Sequence, residues 1–157
     1  METERKDIAS KIIKASCDEI YQAIIDPYAL ACWLPPKNMQ AQINQFELWE
    51  GGKYQITLSY DQPEDREKFA KSSDGSDITQ GKFLKLLPGE CVSQSVEFVS
   101  ENPDFAGSMI MTYELKSHGE QTLVTIIAEN VPKGISVEDH LAGMNSTLAN
   151  LAHYLES

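Results

Sequence analysis

The chain has 157 residues and a formal net charge of −11, since 24 Asp and Glu outnumber 13 Lys and Arg. This length suits a single domain over residues 1–157. The acidic balance lacks the clustered Lys and Arg that bind nucleic acid or an anionic membrane surface. No apolar run approaches the roughly 20 residues of a membrane-spanning helix. We therefore expect neither nucleic-acid binding nor membrane insertion.

The N-terminal residues and the cysteines point to a cytoplasmic protein. Residues 1–7 are charged and lack the apolar region of a signal peptide. The chain has three scattered cysteines, Cys17, Cys32 and Cys91, with no CxxC pair. This odd number indicates free thiols in a reducing compartment rather than a disulfide framework.

The start of the chain predicts a strand followed by two short helices. Isoleucines among polar residues favour a strand over 7–15. Ser16 is a suitable helix N-cap, and Glu19 three residues later completes a capping box. Asp26-Pro27 ends this helix and begins a second one, because proline fits the first turn of a helix but not its interior. The second helix is predicted to reach about Trp33.

A two-residue hydrophobic period then predicts about six strands. Alternation of apolar and polar residues is typical of strands that are buried on one face. Short turns rich in Gly, Pro and Asn separate these segments, which favours antiparallel pairing of successive strands. The predicted strands cover residues 41–46, 54–60, 78–87, 91–99, 108–115 and 122–129. A polar stretch over 61–77 interrupts the series and is predicted to be an inserted loop, either a lid or a mobile connection.

The chain ends in one long predicted helix. Ser136 is the expected N-cap, with Asp139 in the first turn, where a negative charge is favourable. Apolar residues recur at spacings of three and four and form one stripe: Val137, Leu141, Met144, Leu148, Leu151 and Leu155. A run of strands followed by a terminal helix indicates an α+β fold, with the helix covering one face of a bent antiparallel sheet.

Several short motifs, taken together and in order, cover nearly the whole chain. They are Asp26-Pro27 leading to Trp33, Gly51-Gly52-Lys53-Tyr54, Gly81-Lys82-Phe83, Leu87-Pro88-Gly89-Glu90, Thr122-Leu123-Val124-Thr125 and the segment 143–151. This series resembles the SRPBCC superfamily of helix-grip proteins, which includes steroidogenic-acute-regulatory-related lipid-transfer domains and birch-pollen-allergen-like proteins. Within it, the chain is most similar to homologues of the activator of the ninety-kilodalton heat-shock chaperone ATPase.

The resemblance implies a helix-grip fold of about six to seven strands wrapped around the C-terminal helix, with a cavity between them. Met144 stands where the family often carries tryptophan, so the cavity's shape is expected to differ from that of relatives. Apolar pockets with a few polar anchors are the usual form of small-molecule sites. The residues expected to line the cavity are Trp33, Tyr54, Ile56, Leu58, Phe83, Phe98, Met109, Met111, Tyr113, His140 and Met144. The same alternation is also compatible with plain core packing.

Motifs for other chemistry are missing from the sequence. The histidines His118, His140 and His153 form no HxH or HExxH pattern, so no metal is expected. No GxSxG elbow occurs, and Gly51-Gly52 is not followed by the Lys-Ser/Thr of a phosphate loop. We therefore predict no cofactor and assign no catalytic residue.

Three functions remain open. The first is a non-enzymatic protein that holds a small hydrophobic or amphipathic molecule. The second is a cyclase- or hydrolase-type enzyme that uses Tyr and His residues of the pocket for acid–base chemistry. The third is an interaction module that modulates a chaperone in a stress response, as the family name implies. The chain has no room for the additional N-terminal domain of the larger activators, which disfavours direct chaperone activation. A homodimer formed through a strand edge or the short helices also stays open.

Overall fold

Strands and helices follow the predicted order along the chain. The computed structural model describes residues 5–35, 39–60, 76–100 and 102–156. The elements are β1 (Lys6–Ile13), α1 (Cys17–Ile25), α2 (Pro27–Trp33), β2 (Met39–Phe46), β3 (Lys53–Tyr60), β4 (Ser76–Leu87), β5 (Cys91–Phe98), β6 (Met109–His118), β7 (Gln121–Glu129) and α3 (Val137–Glu156). This confirms the α+β helix-grip prediction. The predicted lid over 61–77 lies almost entirely outside the described residues.

The seven strands form one antiparallel sheet in the order β1-β7-β6-β5-β4-β3-β2. Successive strands from β2 to β7 are neighbours, which confirms the predicted meander. β1 closes the other edge by pairing with β7, so that Asp7 lies opposite Ala128 and Ile13 opposite Thr122. Register shifts occur in β2 between Ile43 and Gln45 and in β4 between Phe83 and Lys85. Such irregularities increase the local bend and twist of a sheet.

The short helices begin as the sequence predicts. The Ser16 hydroxyl accepts a hydrogen bond from the Glu19 amide at 3.1 Å, and the Glu19 carboxylate accepts one from the Ser16 amide at 3.1 Å. This reciprocal capping box satisfies two backbone donors that the first turn would otherwise leave unpaired. The Asp26 carboxylate accepts from the Tyr28 amide at 2.9 Å, which caps α2 directly after α1.

Helix α3 packs its apolar stripe on one face of the sheet. The Ser136 hydroxyl accepts from the Asp139 amide at 3.1 Å, which confirms the predicted N-cap. Met144, Leu148 and Leu151 are buried and belong to the same core as Ile13 of β1. None of the helices in the described part of the chain combines the length and apolar character needed to cross a membrane.

Candidate functional site

A pocket of about 490 Å³ lies between the N-terminal half of α3 and strands β3 to β7. The strands present alternate side chains to it, because successive residues of a strand point to opposite faces. Most of these side chains are apolar, and the polar ones come from a few strand and helix positions. The pocket is therefore an apolar space with a small number of hydrogen-bonding groups.

Most of the side chains selected from the sequence line this pocket. From the strands they are Tyr54, Ile56, Leu58, Phe98, Met109, Met111 and Tyr113, and from α3 they are His140 and Met144. Their common origin is the inward face of β3, β5 and β6 together with one side of the helix.

Trp33 and Phe83 lie elsewhere. Trp33 is buried in the core, where its indole N–H donates to the Ala23 carbonyl at 2.9 Å and its ring meets Tyr113 edge-on at 6.4 Å. Phe83 packs between Phe46 and Tyr54 at ring-centroid distances of 5.2 and 5.5 Å. Both side chains therefore belong to the packed core and do not line the pocket. Hydrophobic alternation marks a buried face and does not separate such positions from pocket walls.

Other residues that line the pocket were not predicted from the sequence. They are Leu34, Thr79, Gln94, Val96, Phe105, Ile126, Gly134, Ile135, Asp139, Gly143 and Thr147. Val96 and Ile126 follow the same alternation as the residues that were selected, so the pattern contained them. Phe105 lies in a short 3-10 turn, Pro103–Phe105, and its ring stands 6.4 Å from that of Phe98. No periodic signal marks a residue in such a turn.

Two tyrosines of the pocket differ in how their hydroxyl groups are used. The Tyr54 hydroxyl donates to the Ser95 carbonyl. The Tyr113 hydroxyl has no hydrogen-bond partner among the described residues, although only 5% of the residue is exposed. Burial raises the pKa of Tyr113 to about 12 and raises that of Tyr54 as well. Both phenols are therefore neutral near pH 7, and the one on Tyr113 is an uncommitted donor and acceptor.

A buried acid–histidine pair lies at the end of the pocket near the start of α3. The Nδ1 atom of His140 stands 2.7 Å from Oδ2 of Asp7, whose side chain is 2% exposed. Arg5 donates two hydrogen bonds to the same carboxylate, from Nε at 3.1 Å and from Nη2 at 2.8 Å. Its Nη1 donates to the Ile135 carbonyl at 2.6 Å. The three side chains join β1 to the segment before α3 and to the helix itself.

The charge state of Asp7 follows from these contacts. Burial alone would raise the pKa of the Asp7 carboxyl, but hydrogen bonds from Arg5 and His140, together with the charge of Arg5, outweigh it and lower the pKa below 3.8. Asp7 is thus ionised near pH 7 and acts only as an acceptor. The sequence reasoning missed Arg5 and Asp7. The signal available was a carboxylate at an inward position of a strand, in phase with Ala9 and Ile13.

The polar groups of the pocket come from a few side chains. Within the described residues, no group of three or more His, Cys, Asp or Glu side chains is placed to hold a metal ion. The chemistry of the pocket residues themselves is hydrogen bonding by Tyr113, Gln94 and Thr79, together with the imidazole of His140.

Comparison with known proteins assigns the family. The family model described as Activator of Hsp90 ATPase homolog 1-like protein matches residues 14–156. The chain belongs to this family. The resemblance seen in the sequence motifs is thereby confirmed. None of the curated proteins compared with this member of the Hsp90 ATPase activator family matches it.

Solved structures of other proteins share this architecture. A crystal structure of a protein from Chromobacterium violaceum is 25% identical, with 97% of both chains covered and a TM-score of 0.84. The AHSA1-like protein from Aeromonas hydrophila is 16% identical, with 97% of this chain and 92% of that chain covered and a TM-score of 0.73. CalU16 from Micromonospora echinospora is 17% identical, covers 97% and 76%, and gives a TM-score of 0.65. The last two likenesses concern the fold alone.

Proposed function

We propose that this member of the Hsp90 ATPase activator family binds a small hydrophobic or amphipathic molecule in the pocket between the sheet and α3. The observation that carries the proposal is the pocket itself, about 490 Å³ with largely apolar walls. Ligand sites of proteins usually measure about 300–1,000 Å³ and combine apolar walls with a few polar groups. A filled core of the same fold would have no such space, because protein interiors pack at the density of organic crystals.

Gly143 offers a way to test the proposal without disturbing the core. It lines the pocket, and a Cβ atom added there would meet nothing within 4 Å. Gly143→Leu therefore adds volume at the pocket and also removes a poor helix former from α3. Ala142→Leu is the matched control, because it adds a leucine to the same helix at an exposed position outside the described pocket lining.

The experiment is a fluorescence titration of wild type and both variants with pyrene, an apolar probe of suitable size. Wild type and Ala142→Leu are expected to bind alike, and Gly143→Leu about tenfold more weakly, a loss of about 1.4 kcal/mol. Equal binding by all three proteins would contradict the proposal. Native mass spectrometry of protein purified without detergent would identify the chemical class of any molecule retained from the cell.

An interaction with a chaperone is the second candidate, and exposed apolar side chains near the β2–β3 turn favour it. Trp49 is 59% exposed, and Leu48 and Leu84 are also exposed. The Gly51 amide donates to the Phe83 carbonyl at 2.7 Å, which holds this turn against β4 next to Leu84. Exposed apolar patches are common at protein-binding surfaces. The test is the ATPase rate of a purified ninety-kilodalton heat-shock chaperone with wild type and with Trp49→Ala. Stimulation that Trp49→Ala reduces would favour this candidate, and an unchanged rate with wild type would reject it.

We also propose that the protein is located in the cytoplasm. Cys17, Cys32 and Cys91 are free thiols in the structure, and Cys32 is exposed. Exposed thiols persist in a reducing compartment and are oxidised outside it. Fractionation of cells that express a tagged full chain would test this placement.

A further inference from the structure

We infer that the ligand of this pocket is a neutral, largely apolar ring compound carrying a phenol- or enol-type hydroxyl, which donates to His140 while Tyr113 donates to an oxygen of the same molecule. The inference rests on the proposed function, because it names the class of molecule that the same pocket takes. Four features carry it: the tautomer of His140, the uncommitted hydroxyl of Tyr113, the charges around the pocket and the aromatic walls.

The contact with Asp7 fixes the tautomer of His140. An ionised carboxylate has no proton to donate, so the 2.7 Å contact between Nδ1 and Asp7 requires the proton to sit on Nδ1. The other ring nitrogen, Nε2, then carries a lone pair in the neutral imidazole. It has no partner among the described residues, and His140 lines the pocket with its side chain 12% exposed. A ligand that pairs with Nε2 of the neutral imidazole must therefore supply a hydrogen-bond donor.

Tyr113 presents the complementary group. Its hydroxyl has no partner within the described chain, in a residue that is 5% exposed and lines the pocket. Tyr54, in contrast, has its hydroxyl committed to the Ser95 carbonyl. No buried side-chain polar atom of the described residues lacks a partner, so this hydroxyl is accessible from the pocket rather than sealed in the core. An oxygen atom on the ligand would accept from Tyr113 in place of solvent.

The charges around the pocket disfavour an anionic ligand. No Lys or Arg is among the described lining residues, and the carboxylate of Asp139 lines the same end as His140. Arg5 contacts Asp7 beside His140, and its guanidinium is occupied by that carboxylate and by the Ile135 carbonyl. Transfer of a carboxylate from water into an apolar site without a cationic partner is costly. A neutral hydroxyl carries no such penalty and is still a strong donor when it belongs to a phenol or enol.

The walls favour a ring over an open chain. The rings of Phe98 and Phe105 stand at an interplanar angle of 66°. Met109 and Met111 of β6 also line the pocket. Aromatic rings gain from edge-to-face contacts with other rings, and thioether sulfur makes favourable contacts with ring edges. A flat ring system also loses less conformational freedom on binding than a flexible chain of the same area.

Four pyrene derivatives of similar size separate the contributions: pyrene, 1-hydroxypyrene, 1-methoxypyrene and pyrene-1-carboxylate. The hydroxyl can donate and accept, the methoxy group can only accept, pyrene can do neither, and the carboxylate is anionic. Titration of wild type by fluorescence is expected to give the tightest binding for 1-hydroxypyrene. We expect it to exceed 1-methoxypyrene by about five- to tenfold, the effect of one hydrogen bond.

Two variants assign the preference to its residues, and a third serves as the control. His140→Asn keeps an amide that can donate to Asp7 and removes Nε2, so it should abolish the preference for hydroxyl over methoxy. Tyr113→Phe removes one hydroxyl and should weaken both oxygen-bearing probes relative to pyrene. Tyr28→Phe is the control, because it removes the same hydroxyl from a tyrosine of α2 that is 83% exposed and lies outside the described pocket lining. It should keep the hydroxyl preference, and thermal unfolding by circular dichroism would verify that each variant is folded.

The outcomes separate the two proposals. Equal binding of 1-hydroxypyrene and 1-methoxypyrene, with pyrene still bound in a Gly143→Leu-sensitive manner, would overturn the inference and leave the proposed function standing. Tightest binding of pyrene-1-carboxylate would overturn the neutral ligand class. A hydroxyl preference that survives in His140→Asn would overturn the role of His140. Failure of all four probes to bind wild type would overturn both proposals.

Discussion

At the scale of single residues, Tyr54 and Tyr113 form a natural comparison. Both are buried tyrosines of the same pocket, but only Tyr54 donates to a backbone carbonyl, that of Ser95. Tyr54→Phe should therefore lower the free energy of unfolding by about 1–3 kcal/mol, because a buried acceptor loses its partner. Tyr113→Phe should change it by less than about 0.5 kcal/mol.

Urea denaturation of the two variants beside wild type measures this difference. A loss of stability in Tyr113→Phe as large as that in Tyr54→Phe would mean that the Tyr113 hydroxyl is already bonded within the chain. That result would also count against its availability to a ligand. The comparison therefore tests stability and recognition with the same pair of substitutions.

The carboxylate of Asp7 makes stability depend on pH. Its pKa in the folded protein is below the ordinary value of 3.8, so the unfolded chain binds protons more readily as the pH falls. The stabilisation from Asp7 is thus fully present above about pH 4 and is lost as the pH falls through the lowered pKa. Asp7→Asn should be about 1.5–3 kcal/mol less stable than wild type near pH 7, because charge-assisted hydrogen bonds are lost.

The difference between the two proteins should shrink between about pH 4 and pH 2. Urea unfolding at several pH values measures it, with Asp18→Asn as the control because Asp18 is exposed in the first turn of α1. A gap between wild type and Asp7→Asn that stays constant down to about pH 2 would contradict the assignment of the ionised form.

Asp7 also marks the limit of reading this site from the sequence. The sequence predicts a strand at β1, but two of its isoleucines do not mark the inward face. Ile8 and Ile12 are 54% and 43% exposed. The inward positions hold Asp7, Ala9 and Ile13. Asp7 is stabilised there by His140, more than 100 residues away, and a local pattern contains no information about such a contact. The capping box at Ser16, in contrast, involves only neighbours and was fully predictable.

At the scale of secondary-structure elements, Gly81 allows β3, β4 and β5 to approach closely. It lies opposite Tyr54 of β3 in the sheet, and a Cβ atom on it would stand 1.9 Å from the Ser95 carbonyl oxygen of β5. That carbonyl is also the acceptor of the Tyr54 hydroxyl. A glycine here permits a contact between strands that any side chain would prevent.

Gly81→Ala should therefore destabilise the protein by about 1–3 kcal/mol, the usual cost of inserting atoms into a packed region. Gly107→Ala is a useful comparison for steric cost, because a Cβ atom there meets nothing within 4 Å, although its φ of 104° adds strain of its own. Thermal unfolding should give a lower midpoint for Gly81→Ala than for Gly107→Ala. The reverse order would mean that β5 moves aside without cost.

The elements were more predictable than the site because they depend on periodicity and end signals that are local in sequence. Trp33 and Phe83 illustrate the difference. Both are buried aromatic residues at positions that the pattern marks correctly as inward. The pocket lies in front of Tyr113 and Tyr54 rather than in front of Trp33 and Phe83, and this depends on where α3 stands relative to the bent sheet.

At the scale of the whole molecule, the two halves of α3 have different surroundings. The C-terminal half packs Leu148, Leu151 and Ala152 into the core, and Glu156 accepts from the Lys14 amide at 2.9 Å at the end of β1. The N-terminal half lines the pocket, and its first residue Val137 is 48% exposed although it belongs to the apolar stripe. The contact of His140 with Asp7 attaches this half of the helix to β1.

This division predicts a gradient of local stability along one helix. Amides over 141–144 should open more readily than amides over 148–152, because local opening needs less energy where fewer apolar contacts are broken. Native-state hydrogen exchange measures both sets in one experiment. In Asp7→Asn the amides over 141–144 should exchange several-fold faster beyond the change shared by the whole protein, since their attachment to β1 is weakened. Glu156→Gln alters the other end of the helix. It should not make the amides over 141–144 exchange faster than the rest of the protein's change accounts for. Uniform protection along α3 in wild type would mean that the helix opens as one unit and that the pocket does not weaken its N-terminal half.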